Sequence, residues 1–126
     1  MSNYVKCSST NLFVSMETKV SNQCPIRTTL ELVGGKWRLL IIQNLREEQL
    51  RLSVLRSKIP EISEKMLIQE LKHLVQSQLV YRKNFGEVPP RVEYGLTEAG
   101  EKVLPLIGHM ETFADDYTKT LYRNAD

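Results

Sequence analysis

The apolar positions of this chain change their period along its length, and each change marks an element. From Ser63 to Gln78 (SEKMLIQELKHLVQSQ) they recur at helical spacing. With about 100° per residue, Leu67, Leu71, Leu74, Val75 and Leu79 fall on one side, and Lys65, Met66, Gln69, Lys72, His73 and Gln76 on the other. Ser63 is a natural N-cap, since its hydroxyl can accept from an orphan N–H of the first turn. Pro60 closes off any helix before it. The apolar stripe calls for a core beneath this helix. The outer stripe carries cations and amides without a carboxylate, which suits phosphates and base edges in a major groove. An ordinary solvated helix face is the competing reading.

Upstream, Cys24-Pro25 opens a short helix with Ile26, Leu30 and Val33, stopped by Gly34-Gly35. A second helix is predicted over Lys36–Arg46, with Trp37, Leu40, Ile41 and Leu45 inward and Trp37 a core anchor. Glu47–Arg51 reads as a turn with one short strand around Leu50. Ser53–Ile59 reads as a third helix, capped by Ser53, with Val54 and Leu55 inward. Two short helices in succession, the later one with a cationic face, form a helix-turn-helix pattern.

After Gln78 the period falls to two. Leu79–Phe85 and Arg91–Leu96 read as strands joined by the turn residues Gly86–Pro90, a small hairpin or wing. Arg82 and Lys83 stand on it either to meet phosphates or to guard a strand edge. Then Val103, Ile107, Met110, Ala114, Tyr117 and Leu121 follow with period 3.5, as in a coiled-coil seam. Thr97 is placed to cap this long C-terminal helix, and Pro105 to kink it or sit in its first turns. A second copy of the chain is the economical partner for such a stripe; packing on its own domain is the alternative.

The length of 126 residues allows one domain. Residues 1–23 are polar, without a period, and are expected to be a flexible arm; 24–126 are expected to be the folded unit. No apolar run is long enough for a membrane span, and the start lacks a secretory signal, so cytoplasm is the expected location. The net charge of +2 conceals an asymmetry. Lys36–Lys83 holds ten basic against five acidic residues, and Glu98–Asp126 three against six. A basic middle favours a polyanionic partner.

Little else in the chain suggests chemistry. His73 and His109 have no partners at metal-ligand spacing, so neither metal nor cofactor is expected. No phosphate-binding glycine loop occurs, and no motif joins a cysteine to a histidine, so an enzyme is not expected. Cys24 is the one candidate for reactivity. Next to a helix N-terminus, its pKa is expected to be lowered, as suits an oxidant or electrophile sensor. A small buried residue that simply packs is the alternative. Cys7, in the arm, is available to pair with it within or between chains.

Five segments occur in register: Cys24-Pro25; Gly34-Gly35-Lys36-Trp37; Ile59-Pro60-x-Ile62-Ser63-x-Lys65-Met66-Leu67; Glu87-Val88-Pro89-Pro90-Arg91-Val92-Glu93-Tyr94; and Leu96-Thr97-x-x-Gly100. Together, from about Cys24 to Gly108, they resemble the HxlR-type winged-helix transcriptional regulators of bacteria, related to the MarR group. Gly95 departs from the pattern, where a larger side chain is usual, and is expected to weaken its strand. The resemblance implies a fold mainly α with a small β-hairpin: a winged helix-turn-helix with a long C-terminal dimerisation helix. It implies a homodimer on double-stranded DNA at a pseudo-palindromic operator, with Ser63, Lys65, Met66 and Gln69 on the major-groove helix and Arg91 in the wing. Some members sense electrophiles or oxidants through a cysteine at the position of Cys24, so an oxidant or small-molecule effector is compatible with it. Lys36, Lys65, Lys72 and Arg91 are expected to carry much of the electrostatic affinity. A winged-helix protein-interaction module without specific DNA binding is the alternative.

Overall fold

A computed structural model describes residues 24–124. The arm expected over 1–23 lies outside the described residues. The order is α1 (Pro25–Val33), α2 (Arg38–Asn44), β1 (Leu50–Arg51), α3 (Leu52–Lys58), α4 (Glu64–Gln76), β2 (Val80–Asn84), β3 (Val92–Leu96), α5 (Glu98–Glu101) and α6 (Leu104–Asn124).

Local chemistry accounts for most of these bounds. Cys24 caps α1, its Sγ accepting from the Arg27 N–H at 3.4 Å, and Pro25 takes the first turn, where no N–H is missed. Ser63 caps α4, with the Met66 N–H donating to its Oγ at 3.1 Å. At the far end of α4 the Leu79 N–H donates to Leu74 O and the Gln78 N–H to Val75 O, both at 3.0 Å. This is a Schellman closure, and it holds Gln78 at φ +65°, a conformation glycine usually supplies. Ser53, expected as a cap, lies inside α3; Arg51 precedes that helix without a side-chain cap.

The core forms where α2, α3 and α4 meet the sheet. Ile41, Ile42, Leu55, Leu67, Leu71 and Leu74 are all but fully buried in it. Each such side chain contributes about 1.5–3 kcal/mol through the apolar area it removes from water. Two inward assignments, Leu40 and Val54, do not hold, while Leu55 does. In α2, Ile42 is buried and Leu40 faces out; in α3, Leu55 is buried and Val54 faces out. Trp37 packs half-buried against this core, as its sequence context predicts.

The sheet is antiparallel in the order β1-β3-β2. The short strand foreseen at Leu50 therefore joins the wing at its base, Leu50 opposite Tyr94 and Arg51 opposite Glu93. Gly95 has a physical reason that its sequence context hides. It pairs across the sheet with Tyr81, and a Cβ at 95 would run into the Tyr81 ring. The bare backbone lets that ring lie over β3, where the Tyr81 hydroxyl donates to Gln49 Oε1 at 2.6 Å.

The C-terminal segment differs from the single helix expected. Thr97 does cap a helix, its Oγ1 accepting from the Gly100 N–H, but that helix is the one-turn α5. Gly100 packs directly on the Leu79 carbonyl, where a Cβ has no room. The chain then turns through Lys102-Val103 before α6 begins, with Pro105 in its first turn. Val103 and Ile107 pack against the domain's own core, and Gln43 of α2 donates to Glu111 of α6 at 3.0 Å. The first turns of α6 are thus docked. From residue 108 to 123 every position is exposed.

Candidate nucleic-acid interface

With Leu67, Leu71 and Leu74 turned into the core, α4 presents Lys65, Ile68, Gln69 and Lys72 outward, one face of the helix at i, i+3, i+4 and i+7. Ser63 is exposed at its cap, and His73 is exposed in its last turn. Met66 corrects the expectation. It is half-buried and packs against the core, because one residue's rotation from Lys65 carries its side chain to the inner flank. Ile68, which the periodicity did not single out, is 47 % exposed between Lys65 and Lys72. An apolar side chain there suits a thymine methyl group. Its signal was present in the sequence as an isoleucine off the inner stripe.

The orientation of α4 is fixed from its flank. Arg38 Nε donates to Glu70 Oε1 at 2.7 Å, with the two side chains only 18 % and 15 % exposed. The same guanidinium donates to the carbonyl oxygens of Glu31 (3.0 Å) and Leu32 (3.4 Å), near the end of α1. One arginine therefore links α1, α2 and α4. Lys36, expected with the DNA-facing cations, is exposed in the loop before α2, its Nζ 4.8 Å from the centre of the Trp37 ring.

In the wing, Arg91 is held rather than extended. Its guanidinium lies 3.9 Å from the centre of the Phe85 ring, its Nε donates to Glu93 at 3.1 Å, and it reaches Glu87 at 3.5 Å. Lys83 approaches the same ring at 4.9 Å. At the tip of the wing Val88 is fully in solvent.

A cleft of about 660 Å³ opens between α3, the first turn of α4 and the start of β3. Arg51, Arg56 and Arg91 line it together with Ser53, Ser57 and Glu64. The sequence reading passed over Arg51 and Arg56, because only the pairing of β1 with β3 brings them beside the wing.

Cys24 is 3 % exposed and disulfide-bonded. It caps α1, as its position suggested, its Sγ accepting from the Arg27 N–H. Of the proposed dimer positions, Val103 and Ile107 belong to the domain's own packing, whereas Met110, Ala114, Tyr117 and Leu121 are exposed. Phe113, absent from the 3.5-residue seam, joins them, its ring stacked on Tyr117 with centroids 6.0 Å apart. On α1, Ile26 and Leu30 also face solvent. Among the described residues no group of three or more His, Cys, Asp or Glu is arranged to hold a metal ion. No described helix is long and apolar enough to cross a membrane.

Comparison with known proteins agrees with this architecture. Residues 32–122 match the family model described as HxlR-like helix-turn-helix. The chain is 39 % identical over 103 residues to the uncharacterized HTH-type transcriptional regulator YkvN of Bacillus subtilis (strain 168), covering 82 % of this chain and 87 % of that protein. Among solved structures, it resembles a putative transcriptional regulator of the MarR family from Porphyromonas gingivalis W83, with 49 % identity, 73 % and 90 % of the two chains covered, and a TM-score of 0.69. It also resembles the redox regulator HypR in its reduced form, with 31 % identity, 77 % and 96 % coverage, and a TM-score of 0.72. The match spans the winged domain and nearly all of α6, and the chain belongs to the HxlR-like family of helix-turn-helix transcriptional regulators.

Proposed function

We propose that this regulator binds a pseudo-palindromic operator as a homodimer, α4 entering the major groove and the wing lying beside it. The observation that carries the reading is the outward face of α4: two lysines, an amide and an exposed isoleucine on a helix whose other face is locked into the core. Lysines fix position on phosphates, whereas the amide and the apolar side chain are suited to read base edges. The dimer is supported by the outer part of α6, where Met110, Phe113, Tyr117 and Leu121 leave a stripe of apolar side chains in water.

Two substitutions separate positioning from reading. Lys65→Ala is expected to weaken binding to the protein's own upstream DNA and to a scrambled duplex alike. Gln69→Ala is expected to cost about 1–3 kcal/mol on the upstream DNA and little on the scrambled one. Fluorescence anisotropy on both duplexes measures this. Equal losses for Gln69→Ala would refute base reading, and weak, equal binding of the wild type to both would refute a specific regulator.

We further propose that the regulator responds to oxidants or electrophiles through Cys24. The placement of Cys24 at the N-cap of α1 supports this, as does the likeness to a protein described as a redox regulator. Reduction is expected to change affinity for the upstream DNA about tenfold, within the usual range of coupling between sites. Cys24→Ser keeps an oxygen cap on α1 and is expected to abolish the difference. Identical affinities of oxidised and reduced wild type would dismiss the redox role.

A further inference from the structure

The cleft between α3 and the wing is positively charged and has no part in the base-reading face of α4. Arg51 comes from β1, Arg56 from α3 and Arg91 from the residue just before β3. Their carboxylate neighbours satisfy them unequally. Arg91 is engaged by Glu93 at 3.1 Å, by Glu87 at 3.5 Å and by the Phe85 ring. Arg51 meets Glu93 only at 3.9 Å, and Arg56 meets Glu64 only at 3.7 Å. Those two contacts are too long for hydrogen bonds. A guanidinium carries five N–H donors and no acceptor. Donors of Arg51 and Arg56 are therefore open to an anion, and both side chains are about half exposed, at 57 % and 49 %.

Position identifies the anion. The cleft borders the first turn of α4 on one side and the wing on the other. A helix in a major groove about 12 Å wide has a sugar-phosphate strand close along its flank. A strand passing between the start of α4 and the wing would run over this cleft. The half-exposed arginines and open walls would enclose little of a small free anion, but they suit consecutive phosphates of a strand, whose binding is driven by release of condensed counterions.

We propose that this cleft seats backbone phosphates of one DNA strand, with Arg51 and Arg56 as the neutralising residues. Arg91, pinned on Phe85 between two carboxylates, forms the wall that sets the distance from cleft to wing. Glu64, the acid at the cleft's edge, opposes the strand and limits non-specific affinity. The proposal rests on the DNA-binding reading above, and it adds residues and a strand path to that reading.

The test uses the full chain and its Arg51→Gln, Arg56→Gln and Glu64→Gln variants. Anisotropy is read on the upstream and scrambled duplexes from about 50 to 200 mM salt. Each arginine variant is expected to weaken both duplexes alike, roughly fivefold near 0.1 M salt, and to lower the slope of log K against log salt by about 0.9. Glu64→Gln is expected to shift both affinities the other way. Inorganic phosphate at millimolar concentration is expected to displace DNA no more than an equal ionic strength of chloride. Excess displacement by phosphate would identify a free-anion site instead and overturn the strand seat. Wild-type binding with unchanged slopes in both arginine variants would also overturn it and leave the DNA-binding reading intact. Absence of salt-dependent binding by the wild type would overturn the two together. Because Arg51 and Arg56 lie at the surface, thermal unfolding of both variants is expected to match wild type, which separates lost contact from lost fold.

Discussion

Tyr117→Asp is expected to convert the protein to a monomer and to lower its affinity for operator DNA by about 100-fold or more. The reason begins with exposure. Tyr117 stacks on Phe113 along the undocked part of α6, and Met110 and Leu121 lie a turn away on either side. A twofold interface built on this stripe counts every substitution twice. Removing about 2 kcal/mol of apolar burial from each protomer weakens association by about 4 kcal/mol, roughly a thousandfold. The carboxylate adds a desolvation cost to that. DNA affinity follows, because two half-sites engaged by one dimer gain about 10²–10⁴ over either alone. The fold is expected to survive, since the docked start of α6 at Ile107 and Glu111 is untouched. Sedimentation, circular dichroism and anisotropy on the same samples measure association, folding and binding separately. A variant still dimeric at micromolar concentration, with wild-type DNA affinity, would show that this face of α6 is not the interface.

Arg38→Ala is expected to destabilise the domain by about 3 kcal/mol, the low end of what breaking a buried ion pair costs. Its side chain and that of Glu70 are both mostly withdrawn from water, and the loss strands the Glu70 carboxylate on the flank of α4. It also removes the donor to the carbonyls of Glu31 and Leu32. The Arg38→Met/Glu70→Met double variant is expected to lose less than the sum of its two single variants, since neither partner is then left charged and alone. Urea unfolding of the four proteins completes the cycle. Additive losses would mean that the pair contributes no coupling. Because Glu70 lies one residue from Gln69, DNA affinity of Arg38→Ala is expected to fall even under conditions where the protein remains folded.

Much of this architecture is readable as local pattern. The 3.6-residue period of Leu67, Leu71 and Leu74, the Ser63 cap and the switch to period two after Gln78 are each consequences of a few neighbouring residues. They place α4 and the two wing strands within a residue or two of where they occur. The motif order from Cys24 to Gly100 carried the family in the same way. The outward face of α4 was legible apart from Met66 and Ile68, whose positions near the edge of the stripe depend on how the helix is rolled against α2.

What local pattern could not specify arose where distant segments meet. The short strand at Leu50 was legible, but its partner was not: β1 pairs with β3, some forty residues further along the chain. That pairing assembles the arginine cleft from residues forty positions apart in the chain. Gly95 looks like a defect until Tyr81 is laid across it, and Gly100 looks incidental until the Leu79 carbonyl is found against it. A regular 3.5-residue seam ran unbroken through Val103 and Ile107, yet these two face their own domain, because the one-turn α5 and the bend after it re-aim the chain. Period reports which positions are apolar; which partner covers them is set by the path of the backbone between them.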